Sequence, residues 1–446
     1  MSDSIVKITR GRNHPEVEAV IDIGFVPSIE NGEEISDYRK KAWQEWQKIP
    51  FPSNKDEEWR RTSLKDLGLS QYVKFSKDNS EFSNAPEHLR TSLLEKTHGG
   101  QVLISGDSVE TYLSQDLKKR GIIFTDFKTA MIENPGLVER LLGKIITPSA
   151  YKFGALTAAI AENGVVLYIP KNVKVEDPFQ SITWAPGVGS LHTSHVIIYL
   201  EEGAEATIVH ETSSPAQIAL QSLHTGLFEV YVGPSAKLNF VELQSLGEQM
   251  WNITHETVKV DRDGEVDWIF GSLGSKVTKN FSNLDLVGQG ATGKMSGFYF
   301  ANHRQHLDHD TQQNHMAPNT TSDLLFKGAL LGESRSVWQG MIYVDPSASK
   351  TDGYQANRNL VLSEKARADS IPGLEILTDD VRCTHGATVG KIDKDLTFYL
   401  QSRGIPAKEA EKLVVEGFFD PIMQRIPFEG VRRRFQQAIE EKMLEY

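Results

Sequence analysis

The stretch DDVRCTHGATVG, Asp379–Gly390, carries the single cysteine of a 446-residue chain, with a histidine two positions after it. In an extended segment alternate side chains share a face, so Cys383 and His385 project together, and a sulfur and an imidazole could hold one ion. Free cysteine is as a rule a buried and inert residue. Here the neighbours are Asp379, Asp380, Arg382, Thr384 and His385, a polar setting, and the reading stands between a core thiol and a ligand. One thiolate does not fill a metal shell of about four donors. A metal at Cys383 therefore takes histidines, carboxylates or a second chain to complete it. A lone cysteine forms no internal disulfide, and the simplest expectation is a reducing, cytoplasmic compartment.

Two further stretches invite a chemical reading. HRQHLDHDTQQNH, His303–His315, overlaps a zinc-hydrolase pattern, but Arg304 stands where the first ligand belongs. As a strand it would put His306, Asp308 and Asp310 on one face and His303 and His309 on the other. That split suits a hydrogen-bonded polar strand face or an intersubunit surface. A transient metal-handling surface is the alternative, because imidazoles and carboxylates suit iron and zinc. GQGATGKM, Gly288–Met295, satisfies G-x-G-x-x-G and also gives G-x-x-x-x-G-K. A phosphate loop needs a helix N-terminus behind it and a Ser or Thr for magnesium. Met295 occupies that position, and SGFYFANHRQH alternates like a strand, so a strand–turn–strand corner is expected and no nucleotide is assigned to this chain. No G-x-S-x-G elbow and no H-E-x-x-H occurs in the sequence.

The elements that must position these residues fall into three regions. Residues 1–145 read as mainly helical. SDYRKKAWQEWQKI has Tyr38, Ala42, Trp43 and Trp46 at helical spacing, and PFPSN breaks it. Its tryptophans are expected in a core. Residues 146–392 carry short β-branched and aromatic runs, among them VVLYIP, HVIIYL, FEVYV, KLNFVEL and EVDWIF. Small-residue corners such as EEGAEA, GPSAK, DRDGEV and DPSAS separate the runs. Strand, corner and strand at irregular coil-length spacing predict a β-solenoid, with a long sandwich as the other possibility. Residues 393–446 return to helix. Leu396, Tyr399 and Leu400 line one face, Gly404 is placed to stop it, and Pro406 can open the next helix. There Ala410, Leu413, Val414, Gly417 and Phe418 form the expected apolar stripe. GFFDPIMQRIPFEG is an apolar corner, either a core of its own or a docking surface, and VRRRFQQAIEEKMLEY closes as an amphipathic helix.

Composition excludes several classes. Hydrophobic content of 39% and charged content of 24% describe an ordinary folded chain. No run approaches the ~20 apolar residues of a membrane helix, and MSDSIVKITRGRNHPEVEAV reads without a secretory leader. A net charge of −12 disfavours non-specific nucleic-acid binding.

RADSIPGLEILTDDVRCTHGATVGKIDKDLTFYLQSRGI with VVEGFFDPIMQRIP, PFPSNKDEEWRRTSL, and HLDHDTQQNHMAPNTTSDLLFKGAL closely resemble the SufD family of the SUF iron–sulfur cluster assembly machinery. The resemblance touches all three regions. It implies a right-handed parallel β-helix core flanked by N-terminal and C-terminal helical domains, in a non-catalytic scaffold subunit. It implies two partners, a homologous SufB-like subunit and a SufC-like ABC ATPase that carries out the ATP hydrolysis. Cys383 and His385 match the family's Cys and His at the interface between the two homologous subunits. His385 is the better ligand candidate, in a nascent iron–sulfur cluster site shared with the partner. SufB-like chains have a Glu after the CxH and a further Cys in the helix that follows. Gly386 and Leu400 stand there in this chain, which favours the D-type subunit. ATPase docking through the C-terminal helices, from about 406 to 444, is assigned to Phe418, Phe419, Pro421, Ile422, Ile426 and Phe428. Reduced flavin stands as a candidate cofactor of the complex, and a homodimer as a candidate state of the isolated chain. The rival readings are a metal-dependent hydrolase, a secreted-type β-helix enzyme acting on polysaccharide, and a purely structural partner with no role at the site.

Overall fold

The computed structural model describes residues 33–69, 72–74, 98–106, 108–185, 187, 189–217, 220–426 and 429–444. Helix α1 (Glu33–Lys48) ends before Pro50 and Pro52, and a 3₁₀ turn at Glu57–Trp59 leads to the short strand β1 (Val73–Lys74). Strands β2 (Gly100–Ser105) and β3 (Ser108–Leu113) pair antiparallel. After them come α2 (Gln115–Lys119), β4 (Ile123–Asp126), α3 (Phe127–Glu133), α4 (Pro135–Leu141) and α5 (Lys152–Ile160). The expected helix at 36–49 is present, and Ala42 and Trp46 are buried as its spacing predicts. The N-terminal region also holds strands, and β2, β3 and β4 join the sheets of the central region.

From β5 (Val165–Ile169) and β6 (Phe179–Trp184) onward the chain winds as a parallel solenoid of two sheets. It continues through β7 (Ser190–Leu200), β8 (Glu205–Ser213), β9 (Ser222–Val232), β10 (Lys237–Ser245), β11 (Met250–Val260) and β12 (Glu265–Ser272). Next are β13 (Val277–Leu286), β14 (Thr292–Ala301), β15 (His306–His315), β16 (Thr321–Leu330), β17 (Arg335–Val344) and β18 (Thr351–Val361). The last coil is β19 (Arg367–Ile376) with β20 (Val381–Lys391). From β5 onward odd-numbered strands form one sheet and even-numbered strands the other, with β4 added at the end of the first and β2 and β3 at the end of the second. Leu191 pairs with Leu223 and Trp251 with Val277, so equivalent positions recur 26 to 32 residues apart. The GQGATGKM stretch is one of the corners, running from the end of β13 into β14, with Gly290 at φ +76° where a side chain would be strained.

Between the sheets, inward side chains stack coil on coil. Ile198, Val230, Val258 and Leu284 form one such ladder and are fully buried. Helix α5 and Trp46, Trp59 and Phe153 cover the outer face of the odd-numbered sheet. Helices α6 (Lys394–Ser402), α7 (Ala407–Met423) and α8 (Glu429–Leu444) follow β20. Val415, Phe419, Ile422, Phe435 and Ile439, from α7 and α8, pack on Val241, Ile269, Phe298 and Phe300 of the even-numbered sheet.

The buried stripe of α7 is Ala410, Val415, Phe419, Ile422 and Met423, rotated from the one expected. Leu413 and Gly417 face outward. Val415, Phe419, Ile422 and Ile426 offer large side chains at alternating four- and three-residue spacing. The expected stripe would have used one position on Gly417, which has no side chain to bury.

Candidate functional site

Cys383 and His385 lie on β20, the last strand of the even-numbered sheet. Their ladders show what is unusual there. The His385 position descends from Phe179 through Ile208, Phe240, Trp268, Met295 and Leu324, all buried and apolar. The next member is Gln355 and the last is His385. An apolar ladder thus turns polar in the two terminal coils. The Cys383 ladder ends through Ser322 and Gly353. Because both residues align with buried positions of β18, they share the inward face, as the alternation predicts. Cys383 is partly buried against Ile342, Val344 and Ala348, while His385 is exposed.

Gly353 shapes the floor of the site. A Cβ there would lie 3.3 Å from Cys383 Sγ and 3.4 Å from His315 Nε2, so the missing side chain lets sulfur and imidazole approach a common point. Burial pushes the Cys383 thiol pKa up, and a hydrogen bond from the Gly353 backbone works against it. Burial lowers His315 to about 4, which keeps its ring neutral beside Ser322 Oγ at 2.8 Å. Gln355 is fully buried and donates from Nε2 to the Gly373 carbonyl at 2.8 Å. Gly353 and Gln355 were not singled out by sequence reasoning, and His315 stands there only as the end of the His303–His315 stretch. The signal that finds the first two is the 30-residue step that pairs 353 with 383 and 355 with 385.

The site stands at an open end. Among the described residues, β19 and β20 each have a strand partner on one side only. Leu374 continues the ladder of Ile198 and Leu284 but is 37% exposed, and Val389 on β20 is 51% exposed. Inward-facing apolar side chains and two unpaired strand edges together form a surface suited to strand-on-strand pairing.

The His303–His315 stretch separates as alternation requires. His306, Asp308 and Asp310 face outward under the N-terminal segment, where Thr62 Oγ1 lies 2.7 Å from His306 Nε2 and also bonds Asp308. The ammonium of Lys279, fully buried, lies 3.1 Å from Asp308 and 3.8 Å from Asp310. Burial raises Asp310 to about 7 against the pull of Lys279, and lowers His306 to about 4. His309 lies between the sheets, stacked on Tyr299 at 5.3 Å, and His303 sits in a corner at φ +49°. The polar face anchors the N-terminal segment to the solenoid. Among the described residues no three His, Cys, Asp or Glu side chains gather as a metal shell, and no helix is long and apolar enough to cross a membrane.

The residues assigned to ATPase docking have different surroundings. Phe419, Ile422 and Ile426 have no exposed surface. Phe419 packs edge-on against Phe298 at 6.0 Å. This corrects the expectation that these three present themselves to a partner, because this chain's own sheet occupies them. Phe418 is half-buried, with Lys327 Nζ bonded to its carbonyl and 4.7 Å from its ring centroid. Pro421 is exposed, and Phe428 lies outside the described residues. Among the described residues of the C-terminal subdomain, the exposed large apolar side chains are Leu396, Phe398 and Tyr399 on α6, Leu413 on α7 and Leu444 at the end of α8, with Phe398 71% exposed.

Comparison with known proteins accords with this geometry. Residues 184–418 match the family described as "SUF system FeS cluster assembly, SufBD core domain", and residues 28–181 match "SufBD protein N-terminal region". The chain is 28% identical over 416 residues to the iron–sulfur cluster assembly protein SufD of Bacillus subtilis, covering 92% of this chain and 94% of that one. It is 28% identical over 413 residues to an iron–sulfur cluster assembly SufBD family protein of Staphylococcus haemolyticus, covering 90% and 87%. A Staphylococcus aureus protein of the same description is 27% identical over 439 residues, covering 96% and 92%.

Proposed function

The chain belongs to the SufBD family of iron–sulfur cluster assembly proteins, and from that premise we propose that it is a non-catalytic, D-type scaffold subunit of the cytoplasm. It pairs through its open end with a homologous SufB-like subunit. The observation that carries this reading is the ladder that stays apolar through six coils and ends in Gln355 and His385, the last on a strand with one free edge among the described residues. A nascent cluster is the cargo. Cys383 and His385 supply one half of its shell, with His385 the principal ligand, and donors on the partner supply the other half. A sulfur and an imidazole suit iron, and two donors from each chain answer the requirement for about four.

A SufC-like ATPase engages the C-terminal subdomain, whose exposed Leu396, Phe398 and Tyr399 remain available after Phe419, Ile422 and Ile426 are buried. ATP is hydrolysed in that partner. Closure of two ATPase subunits moves the C-terminal helices, and Phe298, Phe300, Phe419 and Phe435 couple those helices to the solenoid wall. The solenoids then open at their shared end and expose His385. Reduced flavin is the proposed electron source within the complex.

The test is reconstitution with a SufB-like and a SufC-like partner. His385→Ala should reduce cluster assembly at least tenfold while the three subunits still co-purify. Wild-type cluster yield from that variant would remove His385 from the site, and failure of the partners to co-purify with the unaltered chain would remove the assembly itself.

A further inference from the structure

At the open end, where the outer face of the odd-numbered sheet meets its free edge, a cleft of about 680 Å³ gathers Arg60, Arg61, Arg335 and Arg367. These residues come from two distant parts of the chain. Arg335 and Arg367 are ladder neighbours on β17 and β19. Arg60 and Arg61 arrive on the segment that crosses the solenoid, and Arg335 Nη1 donates to the Arg61 carbonyl at 3.4 Å. Two carboxylates hold the guanidinium groups. Asp369 takes Arg335 Nη2 at 2.6 Å and Arg367 Nε at 2.9 Å. Glu57 takes Arg60 at 3.2 Å and Arg61 at 3.0 Å.

Four cations against two anions leave the cleft net positive in a chain of net charge −12. Each guanidinium carries about five N–H donors, and the bonds named here engage fewer than half of them. Hydrogen bonds from Arg61 and Arg60 hold the Glu57 carboxyl below its usual pKa. Burial works to raise Asp369, but Arg335 and Arg367 outweigh it and lower it. Both carboxylates therefore stay ionised as fixed braces. They orient the forks without neutralising them.

We propose that this cleft binds a small multivalent oxyanion, phosphate-bearing or polycarboxylate. Planar guanidinium forks match the paired oxygens of both groups. The remaining described lining side chains are aliphatic, apart from Ser370 and Asp369. They include no aromatic ring on which a base would stack, so the recognised part is the anion itself. Ala387 and Val389 of β20 border the cleft, so the bound anion sits at the same end of the solenoid as His385. The inference does not depend on partner assembly, because the site is complete within this chain.

Titration calorimetry on the full chain tests it, using inorganic phosphate, pyrophosphate and citrate at constant ionic strength set with sodium chloride. Saturable binding near one equivalent is expected, with the tighter of pyrophosphate and citrate identifying which source the site prefers. Arg60→Gln with Arg367→Gln should weaken binding at least tenfold. Lys171→Gln with Lys237→Gln removes the same charge from exposed sites elsewhere and should leave binding within twofold. If the glutamine pair fails to fold, the double Arg→Lys variant at 60 and 367 keeps the charge, loses the forks and should bind several-fold more weakly. Heats indistinguishable from chloride, equal losses in the two charge-removal variants, or undiminished binding in a folded Arg60/Arg367 variant would overturn the proposal.

Discussion

The two ends of one inward-facing ladder are built differently. At the N-terminal end Phe179 lies under Phe124, with ring centroids 5.0 Å apart, and Leu113, Leu117 and Ile122 complete a buried plug. Each sheet is finished there by an antiparallel strand, β3 on one and β4 on the other. Phe124 is 3% exposed. At the C-terminal end the same ladder reaches His385 in the open, beside Leu374 and Val389. A stacked solenoid must cover the apolar faces of both terminal coils. Among the described residues, this chain covers one with its own side chains and leaves the other exposed. The difference supports, without reference to any motif, the proposal that the C-terminal end is the working end.

Acid should act hardest through the buried imidazoles, most of which lie away from the open end. Burial lowers His192, His210, His255 and His309 to about 3, and His224, His306 and His315 to about 4. Their stabilising contribution is therefore complete above the unfolded value of roughly 6.5 and is lost as pH falls toward the folded values. Each contributes a slope of about 1.4 kcal/mol per pH unit in that window. Buried Glu256 and Asp310, each raised to about 7 by desolvation, and Glu242, also raised by burial, act in the opposite sense, favouring the fold below the unfolded carboxylate value and losing that contribution as pH rises through the folded values. The seven imidazoles outweigh these carboxylates. The melting temperature should fall steeply between pH 6.5 and 4.5, and a flat profile would show that the histidines are not held neutral.

Removing the plug comes next in size. Phe124→Ala should cost about 3–5 kcal/mol in denaturant unfolding, as loss of a buried ring does. Ile376→Ala at the open end should cost under about 1 kcal/mol in the isolated chain, since its side chain is 38% exposed. Equal losses would erase the distinction between the ends. The smallest effect on folding is expected from Val389→Glu. It should leave unfolding of the isolated chain unchanged but weaken association with the SufB-like partner at least tenfold, measured by co-purification or calorimetry.

Much of this architecture was legible in the sequence, for a physical reason. The β-branched runs and small-residue corners of 146–392 carry their structure locally, and so does the spacing of α1 and α8. What depended on distant pairing was not legible. QVLIS and IFTD sit in a region of helical composition, and they become strands through β6, about 80 residues on, and β5, about 40 residues on. Cys383 and His385 stand out in the sequence because they lie two positions apart. Gln355 and Gly353 lie a coil away, and Arg61 and Arg335 come from opposite parts of the chain. The rotation of the α7 stripe depended on which face the even-numbered sheet would accept.

The antiparallel finish at β3 and β4 has a consequence for the size of any assembly. A solenoid with two open ends could add copies head to tail without limit, as a filament does. Here, joining two such bodies through their open ends leaves only finished ends facing outward. Growth through that contact stops at two.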